Sequence, residues 1–83
     1  MQAQKRKANV ALVNSIITQQ VIKQRMLEVI EEINLKMENG IPAPKRLEME
    51  FEKLNNELII QLKIQGEAEI VLGINLNLNA VLN

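Results

Sequence analysis

The sequence predicts an α+β fold: an antiparallel αα-hairpin over about 10–38 and 44–57, then a β-hairpin over about 58–65 and 69–82. Three observations predict it. Residues Asn9 to Asn39 contain no Gly and no Pro. A five-residue linker, Gly40-Ile41-Pro42-Ala43-Pro44, interrupts the helical pattern near mid-chain. From Ile70 to Leu82 every even position is apolar (Ile70, Leu72, Ile74, Leu76, Leu78, Ala80, Leu82), while the odd positions include Gly73, Asn75, Asn77 and Asn79. Alternation with a period of two is the mark of a half-buried strand.

Residues 1–9 read as a flexible basic tail, and Asn9 offers an N-cap for the first helix. Asn39-Gly40 supplies the stop, because Gly accepts the left-handed conformation that follows many helices. At about 100° per residue, Val10, Val13, Ile17 and Val21 fall on one side of that helix. Ile22, Met26, Val29, Ile30, Ile33 and Met37 fall on roughly the opposite side. Either the helix breaks between Thr18 and Gln24, or its first half packs on something other than its second half. The later stripe, Met26 and Met37 included, is read as core in preference to a groove for partner helices.

Both prolines bias the preceding residue toward extended backbone, and Pro44 suits the first turn of a helix beginning at Lys45. Leu47, Phe51, Leu54, Leu58 and Leu62 then repeat on one helical face. Two helices joined by so short a linker lie antiparallel. Leu58, Ile60, Leu62 and Ile64 also alternate with Ile59, Gln61, Lys63 and Gln65. A turn at Gln65 to Ala68 would pair them with the final strand. The 47-51-54-58-62 spacing supports the alternative, an all-α helical hairpin. The Asn75-Asn77-Asn79 row reads as the polar face of a half-buried sheet, in preference to a stacked Asn ladder.

Composition excludes much chemistry. The 83 residues include no Cys, His, Trp, Tyr or Asp, and Phe51 is the one aromatic. A thiolate nucleophile, the usual zinc ligands and a Ser-His-Asp arrangement cannot be built. Ser15 and Thr18 are the only side-chain hydroxyls, and Gly40, Gly66 and Gly73 form no phosphate loop. Glu31/Glu32 and Glu67/Glu69 read as solvated surface in place of a catalytic carboxylate pair. No enzyme activity, cofactor or metal is therefore expected. No apolar run approaches the ~20 residues of a membrane span, and the polar start does not read as a secretory signal. The expected location is cytoplasmic, or exported without a cleaved signal peptide.

Lys plus Arg and Asp plus Glu both number 10, yet the charges are segregated. Residues 1–25 hold Lys5, Arg6, Lys7, Lys23 and Arg25 and no acid; residues 26–52 hold seven Glu against Lys36, Lys45 and Arg46. The basic arm is a candidate for phosphate contacts. Against that stand the pI of about 6.3 and the want of aromatic stacking platforms. A small chain with an aliphatic core gains from oligomerising. The expected function is a small structural, adaptor or assembly protein, phage- or secretion-associated, binding itself or another protein. Self-association is assigned to Val13, Ile17, Ile70, Leu72, Ile74, Leu76 and Leu78. A small dimeric nucleic-acid-binding regulator is the alternative.

The basic-to-acidic first helix, the loop Gly40 to Pro44 and the second helical start at Leu47 to Leu54 resemble the small needle and rod subunits of type III secretion systems. That resemblance covers length and loop position and implies an exported helical-hairpin subunit, or its chaperone, as a second alternative. The C-terminal alternation departs from it, because those subunits end in a helix.

Overall fold

The computed structural model describes residues 2–74 and contains two α-helices, α1 (Gln2–Glu38) and α2 (Lys45–Leu72). They pack antiparallel as a single helical hairpin about the linker at 39–44. Its long dimension, 57 Å, is close to that of α1, since 37 residues rise about 1.5 Å each.

The β-hairpin is overturned, and with it the α+β class; the alternative all-α hairpin is the fold. Residues 58–65 and 66–72 continue α2 without a turn at Gln65 to Ala68. No strand occurs among the described residues, and the part of the proposed second strand beyond Ile74 lies outside them. The physical reason is on the inner face of α2. Leu47 and Ala68 are buried there, and Gln61 and Gln65 bond to α1. The helical stripe therefore continues past Leu58 through Gln65, Ala68 and Leu72, which a count of large aliphatic residues does not pick out. Gly66 weakens the helix by about 1 kcal/mol relative to Ala, too little to break one held along its length.

The first helix is likewise longer than expected. It begins at Gln2 and takes in the stretch read as a tail; Ala8 is buried with Leu12 and Ala68, and Ile16 and Leu72 pack around them. Gln, Lys, Arg and Ala are all good helix formers. Nor does α1 break between Thr18 and Gln24.

Both helices end in the same way. Gly40 (φ 75°) and Gly73 (φ 70°) occupy the left-handed region. The Ile41 N–H donates to Lys36 O at 2.9 Å and the Gly40 N–H to Met37 O at 3.0 Å. The Ile74 N–H donates to Glu69 O at 3.1 Å and the Gly73 N–H to Ile70 O at 3.2 Å. Each set is a Schellman motif, which satisfies carbonyls left over at a helix end. Pro44 caps the start of α2, its carbonyl accepting from Leu47 and Glu48.

Candidate interaction surface

The inner face of α1 changes character along its length. Near the open end of the hairpin it buries Ala8 and Leu12, and toward the loop it buries Ile22 and Val29. Between them lie Ser15 and Gln19, only 2% and 5% exposed. They are one helical turn apart, so both face α2.

These two polar side chains meet one backbone carbonyl and one side chain of α2, from residues four apart. Ser15 Oγ donates to the Gln61 carbonyl at 2.7 Å. Gln19 Nε2 donates to Ser15 Oγ at 3.2 Å and to Gln65 Oε1 at 2.7 Å. Gln65 Nε2 in turn donates to Glu69 Oε2 at 3.0 Å. Among the described residues no buried side-chain nitrogen or oxygen lacks a partner. A satisfied network of this kind is tolerated in a core; a broken one is not.

The outer face of α1 has the opposite character. Val10, Val13, Ile17 and Val21 lie side by side there, with Ile17 58% and Val21 66% exposed. The face turned to α2 thus mixes Leu12 and Ile16 with Ser15 and Gln19, and the outer aliphatic stripe meets no part of the described chain. Gln24 and Glu28 continue this side of the helix, and a shallow groove beside it is lined by Gln20, Val21, Gln24, Arg25 and Glu28.

The residues assigned to self-association separate into groups. Val13 and Ile17 belong to the outer stripe. Ile70 is 81% exposed on α2, whereas Leu72 packs inward against the Ala8, Leu12 and Ala68 cluster. A strand would have put the two on one face; a helix turns them about 200° apart. Ile74 is exposed just beyond the α2 cap, and Leu76 and Leu78 lie outside the described residues.

The five basic residues do not converge either. Lys5, Arg6 and Lys7 occupy consecutive helical positions and fan around the first turns of α1, and Lys23 is exposed farther along. Arg25 is committed to carboxylates. Its Nε and Nη2 donate to the two oxygens of Glu50 at 2.7 and 3.0 Å, and Nη1 reaches Glu28 at 3.2 Å. The bond from Arg25 holds the Glu50 carboxyl below its usual range, and the Glu50 bond raises Arg25 further above an already high value. Arg46 and Glu32 form a looser pair at 3.7 Å.

No group of three or more metal-ligating side chains occurs among the described residues. No described helix is long and apolar enough to cross a membrane. The functional feature missed by sequence reasoning is the Ser15, Gln19, Gln61 and Gln65 layer. Its signal was the Ser15 and Gln19 pair, one turn apart on α1, with Gln65 opposite on α2; Gln61 supplies a backbone carbonyl, which any residue would. Comparison with family models, curated proteins and solved structures found no match to this chain.

Proposed function

We propose that this chain is a non-enzymatic assembly protein that works by self-association and protein–protein contact. One observation carries the reading: the Val10, Val13, Ile17 and Val21 stripe lies open on the side of α1 turned away from α2. Such a stripe on a helix is normally buried against another element. The buried apolar side chains among the described residues are Ala8, Leu12, Ile22, Val29, Leu47 and Ala68. That is a thin core, and a small chain with a thin core gains stability from association.

The nucleic-acid alternative is weakened because Arg25 is already paired with Glu50 and Glu28, while Lys5, Arg6 and Lys7 point around the first turns and Lys23, on the Lys5 face, lies about 27 Å along α1. Sedimentation velocity across a concentration series tests the proposal. The expected result is a species heavier than the 9.4 kDa chain, growing with concentration. A monomer throughout overturns it.

A further inference from the structure

We infer that two copies pair antiparallel through the outer faces of their α1 helices, about a two-fold axis passing beside Ile17. This inference rests on the self-association reading and specifies its surface and orientation.

Along the outer face lie Arg6, Val10, Val13, Ile17, Val21, Gln24 and Glu28, all exposed. The steps between them are four, three, four, four, three and four residues. Read from either end, the series is the same, with Ile17 at its centre. An antiparallel two-fold axis at Ile17 sets Ile17 against Ile17 and Val13 against Val21. Val10 then faces Gln24, and Arg6 faces Glu28. Isologous pairing requires just this self-complementarity, in which residue i meets j and j meets i.

The period supports a long contact. These positions recur about every 3.67 residues, the 11-residue pattern that tracks a nearly straight helix and does not impose the left-handed coil of a heptad. The stripe therefore stays on one side of α1 from Arg6 to Glu28.

Charge selects the orientation. The first 25 residues carry five cations and no acid, whereas Glu28, Glu31, Glu32 and Glu38 follow against Lys36 alone in the rest of α1. Parallel pairing would stack Lys5, Arg6 and Lys7 on the same triplet. Antiparallel pairing sets that triplet beside the acidic stretch of the second copy. Glu28 has a half-exposed side chain and contacts Arg25 through one oxygen. Complementary charge of this kind fixes orientation more than it adds affinity.

The absence of Cys makes cross-linking a clean test on the full chain. Val13→Cys and Val21→Cys variants, mixed and oxidised, should give a disulfide-linked mixed dimer. Val13→Cys alone should not, because its two copies would sit about 12 Å apart along the axis, too far for a disulfide. Ile17→Glu should abolish the dimer in sedimentation while leaving the helical dichroism unchanged, because Ile17 makes no core contact. Arg6→Glu should weaken the dimer, and adding Glu28→Lys should restore it. A disulfide from Val13→Cys alone overturns the antiparallel arrangement. An oligomer that survives Ile17→Glu and forms no mixed cross-link overturns this surface while sparing self-association. A monomeric parent overturns both.

Discussion

Toward the loop, α1 buries Ile22 and Val29 and carries charges outside, where Arg25 clamps Glu50. Toward the open end the same helix turns Ser15 and Gln19 inward and Val10, Val13, Ile17 and Val21 outward. The loop end keeps an aliphatic inner face, although Leu27, Leu35 and Met37 are exposed there among the charges. From Val10 to Val21 the inner face mixes Leu12 with Ser15 and Gln19, while the outer face is aliphatic. The difference teaches that polarity alone does not identify the inside of a two-helix protein. A hydrogen-bonded layer can share the interior with aliphatic side chains while other aliphatic side chains stay outside.

The comparison breaks most sharply at Leu47. It is among the most fully buried side chains of the described residues, and Leu47→Ala should cost about 2–5 kcal/mol in denaturant unfolding. An unchanged midpoint would mean that the loop end is not the apolar anchor. Next comes Gln19→Ala, which removes the donor shared by Ser15 and Gln65. The expected loss is about 1–3 kcal/mol, the usual result of stranding buried polar groups. Replacing Gln19 and Gln65 together by Leu should recover most of it, because both partners then leave. If the double variant is as weak as the single one, the layer holds the helices together by more than mutual satisfaction.

The smallest effect is expected at Gly66. An added Cβ there meets nothing within 4 Å, so Gly66→Ala should stabilise the chain by roughly 0.5–1 kcal/mol through helix propensity. A raised melting temperature supports an unbroken α2; a lowered one would revive a turn at this position.

The linker was legible because its signals are local. Gly40 ends α1 and Pro44 begins α2 where the residues themselves require it. The length of α2 was not legible, because Leu58 to Leu72 satisfies two periods at once. Counting only aliphatic residues favours alternation, while Gln61 and Gln65 count as inward positions only once Ser15 and Gln19 are known to oppose them. Gly73 was concealed in the same way: within an alternating run it reads as one more odd position, whereas in the structure it is the left-handed residue of a helix stop. The outer stripe of α1 was recognised as a second apolar face, but its reason, a polar interior behind it, is a tertiary fact. The extent of α1 toward Gln2 was hidden by charge, since Lys5, Arg6 and Lys7 read equally well as solvated helix or as coil.

The glutamine and serine layer also works as a detent. Shifting α2 along α1 by one turn, about 5.4 Å, would break the Gln19–Gln65 bond and pull Ala68 away from Ala8 and Leu12. Aliphatic side chains alone tolerate such slippage, because one methyl group is much like the next. Two rods this slender are therefore kept in step by the Gln19–Gln65 and Ser15–Gln61 bonds at their waist as well as by their aliphatic contacts.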